Sequence, residues 1–261
     1  MSADSRFTPR ILGIICNWCC YGGADLCGVS RFSYPPYIRL IRVMCSARAD
    51  LRHILEAFRS GADGMFVGGC HLDDCHYLTH GNYEALSMVR LAGGLLEHLG
   101  VNPRRLRIAW VSAGEGIRFA NVMNEFGAEV KELGPLGRGE GLDPAELEAR
   151  LAELIRLIPY LKLTLHDKLA LHLRDDPAAY DRLYSPEEIA RLLAEVPRYE
   201  IVADKCAACG ICGKRCPADA IGGDRKTPRV IDQDKCLKCG NCLAVCPPRF
   251  GAVQRILATA G

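Results

Sequence analysis

Residues 206–217 read CAACGICGKRCP, and residues 236–247 read CLKCGNCLAVCP. Both follow the pattern Cys-x-x-Cys-x-x-Cys-x-x-x-Cys-Pro and lie thirty residues apart, so the segment is an internal repeat. This spacing is that of bacterial ferredoxins that carry two [4Fe-4S] clusters. The repeat therefore predicts a small ferredoxin-like α+β domain over 201–261, in which metal-bound thiolates transfer single electrons.

In a repeat of this kind, three cysteines of one motif hold one cluster, while the fourth cysteine reaches the other cluster. We therefore predict two ligand sets. The first [4Fe-4S] cluster is assigned Cys206, Cys209, Cys212 and Cys246, and the second is assigned Cys236, Cys239, Cys242 and Cys216. Pro217 and Pro247 then turn the chain away from the clusters.

A pair of zinc sites is one alternative, because a Cys-x-x-Cys pair also forms half of a tetrahedral zinc site. Four cysteines per unit, followed by proline and repeated once, fit zinc poorly. A disulfide framework would need an oxidising compartment and usually a small secreted chain. Residues 1–10 (MSADSRFTPR) contain no apolar signal segment, so the sequence favours iron–sulfur clusters.

The composition allows one sizeable domain beside the small one, since the chain has 261 residues and is 49% hydrophobic. A formal net charge of +2 argues against nucleic acid as a partner. No apolar stretch approaches the roughly twenty residues that a membrane helix needs. We expect a cytoplasmic protein without a membrane span.

The other seven cysteines lie in the first 75 residues, where apolar runs alternate with helical patterns. Three strand-like runs lead directly into a cysteine: ILGII (11–15) into Cys16, IRLIRVM (38–44) into Cys45 and GMFVGG (64–69) into Cys70. Amphipathic helices are predicted at 49–60 and 83–99, and a fourth strand at 106–111. Strands that alternate with helices predict an α/β domain with a parallel sheet.

The carboxyl ends of parallel strands meet at one edge of a sheet, where open α/β folds bind their ligands. The cysteines expected at this edge are Cys16, Cys19, Cys45, Cys70 and Cys75. Five thiols at one edge predict a metal site, although free cysteine is often buried for packing alone. We favour that simpler interpretation for Cys20 and Cys27, which have no such placement.

Three further side chains lie close to these thiols in the sequence. Two histidines in place of two cysteines would make a Rieske-type [2Fe-2S] centre, for which His71 and His76 are candidates. With five cysteines available, histidine ligation is not needed, so we interpret both as hydrogen-bond donors to the site or as loop residues. Trp18 is expected to shield the site from water.

Four segments together resemble the delta subunit family of methyl-viologen-reducing hydrogenase, over about residues 10–135. They are CNWCCYGGADLCGVSR (16–31), IRVMCSAR (41–48), GADGMFVGGCHLDDCHYLTHGN (61–82) and NVMNEFGAEV (121–130). The resemblance implies a flavodoxin-like or Rossmann-like domain over 1–139, with one [2Fe-2S] cluster on four of Cys16, Cys19, Cys45, Cys70 and Cys75. Either Cys16 or Cys19 would then be spare.

The resemblance also implies a role in anaerobic metabolism, as an electron-transfer subunit without catalytic residues. Its partners would be a hydrogenase, formate dehydrogenase or other dehydrogenase module, and an FAD-containing subunit of heterodisulfide-reductase type that can bifurcate electrons. Ferredoxin is a further candidate donor. The rival hypothesis from the residues is a thiol/disulfide oxidoreductase that uses the cysteines at the strand ends, which requires a low-pKa cysteine pair.

The chain departs from the family pattern by continuing through a helical connector, 140–200, into the ferredoxin repeat. Capped helix starts are predicted at Asp143 and Ser185, and their apolar stripes either pack within the protein or dock a partner. A Gly114-x-Gly116-x-x-Phe119 motif follows the fourth strand. Because its third position is not glycine, we interpret it as a turn and not as a nucleotide site.

Overall fold

The computed structural model describes residues 7–77, 81–224 and 226–257. It contains two compact units, one formed by Met1–Ile155 with Asp167–Ile189, the other by Arg156–His166 with Ala190–Gly261. The predicted connector, 140–200, contributes to both units. Residues 1–6 of the predicted N-terminal domain and residues 258–261 of the predicted ferredoxin domain lie outside the described residues. The same holds for residues 78–80 of the third cysteine loop.

The first unit is built on a four-stranded parallel sheet, which confirms the predicted α/β class. Its strands are β1 (Ile11–Cys16), β2 (Ile38–Val43), β3 (Gly64–Gly69) and β4 (Leu106–Trp110). The strand order is β2-β1-β3-β4, as in flavodoxin-like folds. The order reverses between β1 and β3, so the ligand-binding crevice of such a sheet lies at the carboxyl ends of these two strands.

Four helices cover the sheet: α1 (Cys20–Val29), α2 (Leu51–Arg59), α3 (Gly81–His98) and α4 (Gly116–Leu133). Helix α1 packs against α4, and α2 packs against α3. The predicted apolar face of α2 is buried, and Asp50 caps the helix by accepting a hydrogen bond from the Arg52 N–H. All of β3 is buried as well, because helices lie on both faces of a parallel sheet.

One buried ion pair joins the segments at the opposite, amino end of the sheet. Arg105 precedes β4, is fully buried and pairs with Glu140. Its Nη1 also donates to the carbonyl oxygens of Asp63 and Gly134, each at 2.9 Å. The guanidinium thereby ties together the chain ends that lead into β3 and out of α4.

Four helices follow: α5 (Pro144–Thr164), α6 (His166–Leu169), α7 (Ala179–Leu183) and α8 (Pro186–Ala194). Both predicted caps are present, because Asp143 Oδ1 accepts from the Ala145 and Glu146 N–H groups and Ser185 Oγ accepts from Glu188 N–H. The apolar stripe of α5, which begins at Leu147, is buried. Its burial agrees with the packing interpretation of these helices.

Within the described part of the chain, the cysteine repeat of the second unit is built on two small antiparallel sheets and two short helices, an α+β arrangement, and parts of α5 and α8 belong to the same unit. Strand β5 (Pro197–Ile201) pairs with β8 (Val253–Leu257), and β6 (Ile221–Gly222) pairs with β7 (Val230–Ile231). The helices are α9 (Ile211–Lys214) and α10 (Asn241–Val245), one in each cysteine motif. Among the described residues, no helix is long and apolar enough to cross a membrane.

Candidate metal centres

Two cavities in the second unit are each lined by four cysteines. The first cavity is lined by Cys206, Cys209, Cys212 and Cys246. The second is lined by Cys236, Cys239, Cys242 and Cys216. Each cavity takes three cysteines from one motif and the fourth from the other. The structure thus brings together the two sets that the repeat predicts.

The two motifs have the same backbone geometry around these cavities. Gly210 and Gly240 have φ values of +73° and +76°, in the left-handed region that favours glycine, and α9 and α10 begin directly after them. Pro247 lines the first cavity and Pro217 the second. The chain turns at each glycine and leaves the motif at each proline, so that the motifs surround the two cavities.

Backbone N–H groups point at several of these sulfur atoms. The Ala220 N–H donates to Cys216 Sγ at 3.3 Å. Burial raises the pKa of Cys242 to about 11, and the Leu243 N–H acts in the opposite direction by favouring the thiolate. Burial likewise raises the pKa of Cys212, and a hydrogen bond from the Gly213 N–H lowers it. Buried thiols with N–H donors fit a bound cluster, because hydrogen bonds to sulfur stabilise its negative charge.

In the first unit, Cys16 and Cys70 meet at the crevice between β1 and β3. Cys16 is the last residue of β1, Cys70 follows β3, and their Sγ atoms are 3.8 Å apart. Both side chains are buried, and the Cys20 N–H donates to Cys16 Sγ at 3.3 Å. The position agrees with the site that the strand order defines.

The other three predicted thiols lie around this pair. Burial raises the pKa of Cys19, a hydrogen bond with Cys70 lowers it, and the negative charges of Cys16 and Cys75 raise it further. Burial likewise raises the pKa of Cys45, with smaller contributions from Cys75 and Cys16. Each of the five thiols therefore lies near others of the set, as expected for a site that binds more than one of them.

Helix α3 begins next to Cys45. Its first residue is Gly81, where a Cβ atom would overlap Cys45 Sγ. The positive end of a helix dipole favours a thiolate at this place. Gly81 was not predicted to belong to the site. The Gly81-Asn82 pair between the cysteine loop and the predicted helix at 83–99 could have indicated a close approach there.

The loop after β3 is held by the start of α3. Asn82 Nδ2 donates to the carbonyl oxygen of His71 at 2.6 Å, and Tyr83 Oη donates to Asp73 Oδ1 at 2.9 Å. These bonds fix the backbone between Cys70 and Cys75. The two thiols can therefore keep their positions without a regular secondary structure around them.

Both histidines of the loop have other contacts. His71 Nε2 lies 2.6 Å from Glu115 Oε2, and Glu115 also accepts from the Ser112 N–H, which is the main reason why its pKa is lowered. His76 stacks on Trp18, with ring centroids 3.8 Å apart. These described contacts are not with the five thiols, so of the two interpretations they favour loop residues over hydrogen-bond donors to the site.

Trp18 covers the loop that carries Cys75. Its Nε1 donates to Tyr77 Oη at 3.1 Å, and 39% of the residue is exposed. The described contacts of the indole are with the loop residues His76 and Tyr77, so its shielding of the thiols stays a prediction. It joins the Cys19 segment to the Cys75 segment through aromatic contacts.

The two cysteines left out of the predicted set pack in the core. Cys20 is fully buried, and a Cβ atom at Gly68 would overlap its Sγ. The Cys27 thiol donates to the Phe32 carbonyl oxygen at 3.5 Å. The glycine motif at the start of α4 also serves packing, because a Cβ at Gly116 would lie 2.9 Å from the Cys27 backbone nitrogen.

Within 7–77, 81–224 and 226–257, no three His, Cys, Asp or Glu side chains are close enough to hold a single metal ion. A [4Fe-4S] cluster calls for a wider arrangement, since each of its four thiolates binds a different iron atom. The cavities above are lined by thiols spaced around a shared volume.

The fold and its thiols define an iron–sulfur protein with an α/β domain and a dicluster domain. Residues 11–134 match the family described as methyl-viologen-reducing hydrogenase, delta subunit. Residues 198–248 match the family described as 4Fe-4S dicluster domain. The chain belongs to the methyl-viologen-reducing hydrogenase delta subunit family and carries the dicluster domain in addition, which confirms the predicted family.

The relatives fall into two kinds. The F420-non-reducing hydrogenase iron-sulfur protein of Archaeoglobus profundus is 51% identical over 132 residues, which are 51% of this chain and 96% of the relative. The vhc iron-sulfur protein of the F420-non-reducing hydrogenase of Methanococcus voltae is 50% identical over 130 residues, 50% of this chain and 90% of the relative. A larger relative, from the ferredoxin/F(420)H(2)-dependent CoB-CoM heterodisulfide reductase of Methanosarcina acetivorans, is 49% identical over 136 residues, 52% of this chain but 17% of the relative.

Proposed function

We propose that this chain is a non-catalytic subunit that relays single electrons between a dehydrogenase-type module and a flavoprotein of heterodisulfide-reductase type. The observation that carries the proposal is the pair of four-cysteine cavities, each of which takes three cysteines from one motif and one from the other. A ferredoxin repeat with this exchange holds two [4Fe-4S] clusters. The thiols at the sheet edge supply a third site in the first unit.

The proposed ligands are those that share each site. The first [4Fe-4S] cluster has Cys206, Cys209, Cys212 and Cys246, and the second has Cys236, Cys239, Cys242 and Cys216. One [2Fe-2S] cluster has four of Cys16, Cys19, Cys45, Cys70 and Cys75, with Cys16 or Cys19 spare. Bound clusters supply one-electron redox chemistry at potentials that their surroundings set.

The polypeptide's own part is to bury the thiols and to present N–H groups to them. The Cys20 N–H donates to Cys16 Sγ, and the Ala220 N–H donates to Cys216 Sγ. The hydrogen bond from Trp18 to Tyr77 holds the segments that carry Cys19 and Cys75 together. The two N–H groups stabilise negative charge on sulfur.

The proposed partners rest on what the relatives are named. The matched region forms nearly all of the hydrogenase iron-sulfur proteins and a small part of a heterodisulfide reductase chain. A domain that occurs both alone and within a larger chain suits a connecting module. A hydrogenase or formate dehydrogenase module on one side, an FAD-containing subunit on the other, and ferredoxin as a further donor fit this role.

A thiol/disulfide oxidoreductase is the second candidate, and the short distance between Cys16 and Cys70 favours it. However, their hydrogen bond and burial raise the pKa of Cys16, and burial raises that of Cys45. A reactive pair needs a lowered thiol pKa. A bound metal deprotonates its thiols outright, so the raised values do not oppose metal ligation.

Iron and acid-labile sulfide per chain test the proposal. Two [4Fe-4S] clusters and one [2Fe-2S] cluster require about ten iron atoms. About eight iron atoms, together with two or more titratable thiols in the first unit, would favour the oxidoreductase instead. Fewer than about eight would contradict the dicluster assignment itself.

A further inference from the structure

The repeat extends upstream of its cysteines. Residues 199–205 read YEIVADK and residues 229–235 read RVIDQDK, so the thirty-residue offset pairs Tyr199 with Arg229. Both motifs have Asp-Lys directly before the first cysteine. The two motifs therefore carry different side chains at one equivalent position, an aromatic ring in one and a cation in the other.

Each of these two side chains lies against the cavity of the opposite motif. Tyr199 is buried and lines the second cavity, where its Oη lies 2.8 Å from the position that a Cβ would take on Gly240. Arg229 lines the first cavity, where its Nη2 lies 3.3 Å from the corresponding position on Gly210. Gly210 and Gly240 are themselves equivalent in the repeat.

The two cavities consequently differ in charge. Among the described residues that line them, Arg229 is the charged side chain of the first cavity, and the second is lined by no Lys, Arg, Asp or Glu. Lys238 of the second motif does not line that cavity. Its Nζ donates to Gln233 Oε1 at 2.9 Å.

The guanidinium also has a donor to spare. Arg229 Nη1 donates to the Gly223 carbonyl oxygen, whereas Nε is buried and has no hydrogen-bond partner among the described residues. A buried N–H without an acceptor is costly, so native structures rarely keep one unless a ligand or water completes it. A cluster sulfur or a cysteine thiolate in the first cavity is an acceptor of the required kind.

We propose that Arg229 raises the reduction potential of the [4Fe-4S] cluster held by Cys206, Cys209, Cys212 and Cys246 above that of its neighbour. Reduction adds one electron, and therefore one negative charge, to the cluster. A nearby cation and an N–H donor stabilise the reduced state more than the oxidised state. The first site then accepts an electron before the second, and this ordering rests on the dicluster function proposed above.

Redox titration of the full chain, followed by paramagnetic resonance, tests this ordering. The unsubstituted protein should show two resolved [4Fe-4S] potentials. Arg229→Tyr introduces the residue that the repeat has at the equivalent position, Tyr199. It should lower the higher potential and reduce the difference between the two potentials. Arg229→Lys keeps the charge but loses Nε–H, so it should lower the same potential by less.

The matched control is Arg198→Tyr, the same substitution at an exposed arginine of β5 that pairs with Glu200. It should leave the gap unchanged. Each potential can be assigned by replacing the exposed cysteine of each set, since Cys209→Ser should shift the first site and Cys239→Ser the second.

Equal potentials in the unsubstituted protein would overturn the proposal. An unchanged difference between the two potentials in both Arg229 variants would also overturn it, provided that about eight cluster irons remain. A change in the potential of the second site alone would overturn it as well. Loss of those irons in the unsubstituted protein would instead contradict the proposed function, so the two failures are distinguishable.

Discussion

Cys16 and Cys70 are 54 residues apart in the chain, yet their sulfur atoms lie 3.8 Å apart at the ends of neighbouring parallel strands. Between these strands the order of the sheet reverses, which opens a crevice at their carboxyl ends. Three more thiols lie around the pair. The geometry places these thiols where flavodoxin-like folds usually place a cofactor.

We expect Cys70→Ala and Cys75→Ala to abolish the [2Fe-2S] paramagnetic signal and to remove about two iron atoms per chain. Each substitution removes a thiol from the sheet-edge set. The control is Cys27→Ala, because that thiol donates to a backbone carbonyl in the core. Survival of the signal in both variants would show that the ligand set is wrong.

Paired substitutions can test the exchange of the fourth cysteine. Cys216→Ala with Cys236→Ala removes two thiols from the second cavity only, so one intact [4Fe-4S] cluster should remain. Cys216→Ala with Cys206→Ala takes one thiol from each cavity, so both clusters should be perturbed. Mössbauer spectra count the intact clusters. The reverse outcome would mean that each motif holds its own cluster.

Gly81→Ala should weaken cluster binding in the first unit. The new methyl group would overlap Cys45 Sγ and displace either the thiol or the start of α3. Gly93→Ala is the matched control in the same helix, because nothing lies within 4 Å of its Cβ position. That change should stabilise the helix by about 0.5–1 kcal/mol. Equal iron content in the two variants would contradict the role of Gly81.

Arg105→Met should lower the free energy of unfolding of the first unit by about 3–5 kcal/mol, because it leaves Glu140 buried without its partner. Denaturant unfolding followed by circular dichroism measures the change. Adding Glu140→Leu should recover part of the loss, since an apolar pair replaces the orphaned charge. Arg104→Met, at an exposed neighbour that pairs with Glu129, should have a small effect. Similar losses in the two single variants would argue against a buried ion pair.

Much of this architecture could be predicted from local patterns. The apolar runs before Cys16 and Cys70 are strands because most of their side chains are buried between the helices on both faces of a parallel sheet. The run before Cys45 forms the edge strand β2, in which Ile38 is buried and Ile41 is exposed. The caps at Asp143 and Ser185 depend on neighbouring backbone groups. The cysteine spacing predicts which thiols share a cavity, because short loops can present only certain sulfur atoms together.

Other contacts depend on residues far apart in the chain and were not predicted. Arg105 finds Glu140 only after the sheet and α4 are assembled, and Gly81 meets Cys45 only because α3 starts at the end of β2. Both are close approaches between separate elements. Local periodicity carries no information about such pairs.

By itself, the sequence determined the alternation of strands and helices, the family and the two cysteine sets of the repeat, since these depend on spacing along the chain. Only the tertiary structure decided that Cys16 meets Cys70, because strand order is set by how whole elements pack. It also decided that Arg229 and Tyr199 each lie against the opposite motif's cavity, because each cavity is lined by residues from both halves of the repeat.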